Sequence, residues 1–144
     1  MFREMPIRYN IGNCCRHGGL EMIHEAFEDY LEAVLVLQER LDGVHAADVA
    51  RFLNVSRPSA GEYLKKLISK GLLTLDEHSH LHLTDEGNRI AAATYERHIV
   101  ITELFVTLGV APDVAAEDAC RVEHAISGET FEAIKKFCAE HHQG

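Results

Sequence analysis

Between Ala46 and Thr84 the chain stops and restarts repeatedly, and this punctuation leaves few folds open. DVARFLN predicts a short helix over Ala46–Leu53, and Asn54-Val55-Ser56 reads as a turn. A second helix starts near Pro58, because proline fits the first helical turn. It runs through YLKKLISK to Lys70, and Gly71 supplies the stop. LLTL (72–75) and LHLT (81–84) then predict two short strands, with the polar stretch DEHSH as the tip between them. Helix, turn, helix and a two-stranded ribbon make a winged helix-turn-helix. Its small core is expected from Ala46, Val49, Ala50 and Leu53 on the first helix and from Leu64, Leu67 and Ile68 on the second.

What flanks this unit is helical. From Glu21 to about Leu41, Phe27, Leu31, Val34, Leu35 and Leu37 form an apolar stripe, which Asp42-Gly43 ends. Thr84 reads as the N-cap of a long helix reaching Leu108. Its length of about 24 residues, roughly 36 Å, is large for a small globular core. Gly109 ends it, Pro112 opens another helix, and Ser127 caps a last one that reaches toward His141. The fold class is therefore mainly α: an N-terminal winged helix-turn-helix followed by an all-helical dimerisation domain. The boundaries fall at 1–20 for a mobile arm without sustained periodicity, 21–84 for the DNA-binding domain and 85–144 for the helical domain. The helical domain buries little by itself, so it is expected to pair with a second copy.

The whole chain is acidic, with a formal charge of -9, which at first argues against a nucleic-acid partner. Its distribution reverses that argument. Over 51–70, Arg51, Arg57, Lys65, Lys66 and Lys70 face the single acid Glu62, whereas 111–144 is rich in acids. Neutralising phosphates needs local cations, not a positive total. No signal peptide is expected, and no apolar run approaches the ~18 residues that span a bilayer. A cytoplasmic protein with reduced thiols is expected, so Cys14, Cys15, Cys120 and Cys138 read as inert, metal-binding or redox-active. No HExxH, GxSxG or phosphate-cradling glycine loop occurs, and Ser56, Ser59 and Ser79 have no evident base partner. No enzyme and no small-molecule substrate are expected.

Several groups can ligate metals. Asp29 and Glu32 stand at i, i+3 and can face the same way, although Glu25, Glu28 and Glu39 suit a merely solvated acidic face. His98 lies among apolar neighbours in the long helix, where a packed side chain is the commoner outcome. Cys120, Glu123 and His124 stand at i, i+3 and i+4, so on one helix they share a face. Three ligand types together suit a transition metal, and they equally suit an ordinary amphipathic helix. Cys14 and Cys15 lie beside His17, and Cys138, Glu140, His141 and His142 form a ligand-rich tail that also reads as a frayed end.

The order of EDYLEAVLVL (28–37), VHAADVARFLNVSRPSAGEYLKKLISKGLL (44–73), LHLTDEGNRIA (81–91), RHIVITELFVTLGV (97–110) and DACRVEHAIS (118–127) resembles the diphtheria toxin repressor family. The resemblance covers about residues 22–140, and the chain length is similar to the short manganese-regulator branch. It implies a metal-activated repressor of metal-uptake genes, a homodimer that binds double-stranded operator DNA. The implied metal ligands are Asp29, Glu32, His98, Cys120, Glu123 and His124. Cys120 stands where the manganese branch has glutamate and the iron-type branch cysteine, and Asp29 where iron-type members carry methionine. Thr102 replaces a frequent acid, and Ala116 replaces a further iron-type histidine. Carboxylates suit manganese, while thiolate and imidazole suit iron, cobalt, nickel or zinc, so Mn(II) or Fe(II) is the expected signal and Zn(II), Co(II) or Ni(II) are expected to bind in vitro. A metal held by ligands from both halves would fix one relative to the other. Ser56, Arg57, Pro58, Ser59, Tyr63 and Lys66 are the expected DNA contacts, with Tyr63 packing on sugar or base edges. The rival from another class is a redox-sensing winged-helix regulator that uses a cysteine.

Overall fold

The computed structural model describes residues 23–141, with side chains from Phe27 onward. The expected arm over 1–20, the Cys14-Cys15-His17 group, the predicted start of the first helix at Glu21 and His142 lie outside the described residues. Among the described residues the fold comprises six helices and one two-stranded antiparallel sheet. The chain divides into two compact units, and the division falls between Thr94 and Tyr95.

The first unit contains α1 (Ile23–Arg40), α2 (Ala46–Leu53), α3 (Arg57–Ser69), β1 (Leu73–Leu75), β2 (Leu81–Leu83) and the start of α4 (Asp85–Thr107). Spacing by three and four places Tyr30, Leu31, Val34 and Leu37 of α1 in the core. Val49, Ala50 and Leu53 meet them from α2, and Ala60, Leu64 and Leu67 from α3. Ala46, expected in this core, is exposed, and Ile68 is only partly buried. Ala46 is the first residue of α2, so the turn before it turns the side chain to solvent.

The boundaries follow from caps. The Asp48 carboxylate accepts a hydrogen bond from the His45 N–H at 2.8 Å at the start of α2. Asn54 closes that helix in the left-handed region with φ 55°, a conformation asparagine tolerates. Ser56 caps α3 by accepting from the Ser59 N–H at 3.2 Å, and Gly71 leaves it at φ 75°. The hairpin pairs Leu73 with Leu83, Thr74 with His82 and Leu75 with Leu81. At its tip Asp76 Oδ1 accepts from the His78 and His80 N–H groups at 2.8 and 3.0 Å, and Oδ2 lies 2.8 Å from His82 Nε2. The His82 hydrogen bond, then those from the backbone, hold the Asp76 carboxyl well below the usual carboxylate range.

Thr84 ties hairpin to helix. Its Oγ1 accepts from the Gly87 N–H at 3.1 Å and donates to the Gly71 carbonyl at 2.8 Å. Gly87 is buried there against the Leu72 carbonyl oxygen, which a Cβ would strike.

The second unit contains the rest of α4, α5 (Pro112–Val122) and α6 (Gly128–Glu140). Gly109, at φ 99°, ends α4, with the Gly109 and Val110 N–H groups donating to Val106 and Phe105. Ser127 caps α6 by accepting from the Thr130 N–H at 3.2 Å. The buried set here is modest: Ile101, Phe131, Cys120 and the alanines 115, 116 and 119, with His98, Thr102 and Glu123 among them. Val106, Leu108, Val114 and Phe137 stay exposed. Among the described residues no helix is long and apolar enough to cross a membrane.

Gly87→Ala is expected to lower stability by about 1–3 kcal/mol, because a backbone carbonyl cannot swing aside. Gly61→Ala, in α3 with nothing near its added Cβ, is expected to raise it by roughly 0.5–1 kcal/mol. Urea midpoints at constant m-value check both. Asp76 has a lowered folded pKa, so its stabilisation is full above about pH 4, its ordinary range, and is lost as pH falls through the lowered value. The stability difference between wild type and Asp76→Asn is therefore expected to shrink below about pH 4 in urea titrations run pH by pH.

Candidate metal centre and nucleic-acid face

His98 projects from α4 and is fully buried, and Glu123 is 1% exposed. His98 Nδ1 lies 3.0 Å from Glu123 Oε2, and His124 Nε2 lies 3.3 Å from Glu123 Oε1. Cys120 is buried one turn before Glu123, and its thiol is not in a disulfide. The second unit thus gathers His98, Cys120, Glu123 and His124, four of the residues expected as ligands.

The local backbone differs from the sequence expectation. Cys120, Glu123 and His124 do not lie on one continuous helix. α5 ends at Val122, Glu123 is its C-cap, and His124 lies in the following turn. The Ala125 N–H reaches back to the Val122 carbonyl at 2.9 Å, which tightens the chain before Ser127 starts α6. Glu123 therefore sits at the negative end of a helix with its carboxylate removed from water. Both factors disfavour an anion. His98 Nδ1 offsets part of that cost, yet His98 Nε2 has no hydrogen-bond partner among the described residues, and Glu123 Oε1, 3.3 Å from His124 Nε2, makes no hydrogen bond there. Buried charges are normally paired or bound to metals. A carboxylate, imidazoles and a thiol with polar atoms left over fit a divalent transition metal by donor type.

Two neighbours shape this place. Thr102 Oγ1 donates to the His98 carbonyl at 2.6 Å, so its hydroxyl serves the backbone of α4. Arg97, which the sequence reading passed over, donates through Nη1 to the carbonyls of Glu123 at 2.9 Å and Ile126 at 3.2 Å. Its guanidinium also lies 5.1 Å from the Phe131 ring centre. It satisfies the carbonyl of the α5 C-cap and one in the turn leading to α6, and so fixes the backbone that carries Glu123. Its only sequence signal was its place next to His98.

In the first unit, Asp29 and Glu32 lie one turn apart on α1, with Asp29 half-buried and Glu32 1% exposed. Glu32 is thus no member of a solvated acidic face.

The other expected site residues gather on α3. Its buried side is Ala60, Leu64 and Leu67. The opposite side begins with the Ser56 cap, whose Oγ lies 2.9 Å from Ser59 Oγ, and with Arg57, Pro58 and Ser59, all exposed. Lys65 and Lys66 follow, also exposed. Tyr63 takes a different position. Its ring stacks on Tyr30 at 5.1 Å and meets Phe27 edge-on at 5.7 Å, so much of its surface packs against α1. Burial, and secondarily Tyr63 beside it, pushes the Tyr30 phenol up to about 12. Lys66 Nζ stands 5.4 Å from the Tyr63 ring centre. Residues Ser56 to Ser59 therefore offer hydroxyls, a cation and a helix N-terminus at one exposed place, which is chemistry suited to a phosphate backbone.

Comparison with known proteins agrees in both units. The family profile described as iron dependent repressor, N-terminal DNA binding domain, matches residues 22–81. The profile described as iron dependent repressor, metal binding and dimerisation domain, matches residues 84–143. The transcriptional regulator MntR of Escherichia coli O6:H1 is 33% identical over 117 residues, spanning 81% of this chain and 76% of that protein. Among solved structures, a manganese-dependent transcriptional repressor in complex with manganese is 31% identical with a TM-score of 0.73, over 78% of this chain and 52% of that one. The manganese regulator SloR is 30% identical with a TM-score of 0.71, over 78% of this chain and 53% of that one. The chain thus spans about half the length of these two solved chains.

Arg97→Ala is expected to cost about 2–4 kcal/mol, since it removes a cation that serves two carbonyls and packs on Phe131. Arg97→Lys should recover only part, because an ammonium lacks the planar fork. Denaturant unfolding of the metal-free protein measures both.

Proposed function

The chain belongs to the iron-dependent repressor family, the family of the diphtheria toxin repressor, and on that footing we propose that it is a metal-activated transcriptional repressor of metal-uptake genes that acts as a homodimer on operator DNA. The buried His98–Glu123 pair carries this reading. A helix-terminal carboxylate out of water, with polar atoms left over, is more stable with a divalent cation than without one.

In the proposed ligand set Glu123, His98, His124 and Cys120 act together with Asp29 and Glu32 of α1. The metal supplies positive charge that joins carboxylates which otherwise repel each other. The residues of the chain do the rest: Arg97 and Thr102 hold the backbone that presents Glu123 and His98. Ser56, Arg57, Pro58, Ser59 and Lys66 meet phosphate and base edges, and Tyr63 supports Lys66 from the α1 side. In a dimer two copies of α3 would address successive major grooves about one helical turn apart. Six ligands rich in carboxylate favour Mn(II), and the Cys120 thiolate favours Fe(II). Both are carried as the physiological signal.

The redox-sensor reading has less support. Cys120 is 5% exposed, which limits access for an oxidant. Burial, and secondarily Glu103, pushes the Cys138 thiol up and lowers its thiolate fraction.

DNA affinity against free Mn(II), Fe(II) and Zn(II), measured without oxygen at stated salt, tests the proposal. Glu123→Ala or His124→Ala is expected to weaken metal-dependent DNA binding about a hundredfold or more. Lys66→Ala is expected to weaken binding uniformly across sequences and to lower the salt slope by about 1. Metal-dependent DNA binding that survives Glu123→Ala unchanged overturns the metal-activated reading. A peroxide response abolished by Cys120→Ser, with no metal dependence, establishes the redox reading instead.

A further inference from the structure

α3 carries one acid among its cations, and the helix sets that acid at the centre of its outward side. Ala60, Leu64 and Leu67 define the buried side. At 3.6 residues per turn, Glu62 stands within about 20° of directly opposite their mean direction, and Lys65 and Lys66 stand about 50° to either side of it. All three are exposed. Lys66 follows Glu62 by one turn, a spacing that favours an ion pair. No such pair is formed: Lys66 Nζ lies 5.4 Å from the Tyr63 ring centre, and Glu62 has no salt bridge among the described residues. Glu62 is also the sixth residue of a helix that starts at Arg57. It lies in the N-terminal half, the part that meets base edges when the second helix of a helix-turn-helix enters the major groove.

Given the proposed role of α3 in DNA binding, on which this rests, we propose that Glu62 is a base-reading residue that selects cytosine in the operator by accepting a hydrogen bond from its N4 amino group. The centre of the outward side meets the floor of the groove and its flanks meet the phosphate walls. Lys65 and Lys66 are thus placed for the backbone and Glu62 for the bases. A carboxylate carried into the groove loses water and approaches phosphates, and a hydrogen-bond donor is needed to offset that cost. Guanine presents N7 and O6 there, and thymine presents O4, all of them acceptors that repel it. Adenine sets its N6 donor beside the N7 acceptor. Cytosine presents a donor with no acceptor on the same base. The carboxylate also weakens binding to sequences that lack this cytosine, so it adds specificity by repulsion as well as by attraction.

The test is selection of binding sites from a random duplex pool by the full chain at fixed salt, loaded in turn with Mn(II) and, without oxygen, with Fe(II). Wild type, Glu62→Gln and Glu62→Ala are compared. The wild type is expected to select a site with one cytosine in each half, whose replacement weakens binding about five- to a hundredfold. Glu62→Gln is expected to move the preference at that position to adenine, whose N6 and N7 suit an amide. Glu62→Ala is expected to accept any base there and to keep the other positions. A wild-type site whose bases stay the same in both variants overturns the role of Glu62 and leaves the repressor reading standing. So does a wild-type site with no cytosine preference in either half. A wild type that selects no sequence with either metal overturns the repressor reading, and the assignment of Glu62 with it.

Discussion

The second unit is organised around a carboxylate that water cannot reach. Glu123 caps the negative end of α5, and the imidazole nitrogens of His98 and His124 lie 3.0 and 3.3 Å from its two oxygens. Among the described residues the large buried apolar side chains of this unit are Ile101 and Phe131, and alanines supply much of the rest. Hydrophobic burial scales with apolar area, so such a centre gains less from it than a leucine-rich one. A large share of its order has to come from polar contacts that demand specific partners. Arg97 meets part of that demand by binding the carbonyls around Glu123. In the proposed site a divalent cation would meet the remainder by coordinating the carboxylate and the imidazoles. Metal affinity and local order are then two aspects of one free energy.

The first unit is built on the opposite plan. Its core cluster is apolar, from Tyr30 and Leu31 to Leu73 and Leu81, and the buried carboxylate of Glu32 on α1 is the exception to that plan. The basic residues lie outside it, with Arg57, Lys65 and Lys66 on the exposed side of α3. This explains how a chain of formal charge -9 can present a local basic surface. The acids concentrate elsewhere, so the long-range field is negative while the short-range contacts of α3 are positive. At physiological salt the Debye length is about 8 Å, and the local charges dominate close contact.

Much of the fold was legible because caps and breakers are local. Ser56, Gly71, Thr84, Gly109 and Ser127 act within a few residues, and each marks an observed boundary closely. What was not legible depends on contacts distant in sequence. Cys120, Glu123 and His124 kept a helical spacing on paper, whereas α5 gives way after Val122 as the chain turns toward Ser127. Ala46 fits a core pattern, but the helix start turns it outward. Tyr63 resembles a surface aromatic until Tyr30 and Phe27 are seen against it. Arg97 had no pattern of its own, because its partners are backbone carbonyls far along the chain. A side chain that recognises carbonyls leaves no mark in the identity of the residues it recognises.

The composition of the proposed regulatory ligand set also separates affinity from response. A site with imidazole, carboxylate and thiolate follows the usual order of divalent metals, so zinc is bound more tightly than manganese or iron. Tight binding alone does not activate a repressor. A metal shifts the equilibrium only by its differential affinity for the active and inactive arrangements, and one that binds both equally shifts nothing. Coordination number supplies that difference. Zinc is content with four donors, whereas manganese and iron(II) take octahedral sets. If the proposed set holds, a cation that needs the α1 carboxylates as well as the donors around Glu123 would reward the ordered arrangement, while one satisfied by the donors around Glu123 would not. On that proposal selectivity of response would run against the order of affinity, Cys120 governing how strongly the soft metals bind and Asp29 and Glu32 which metals act.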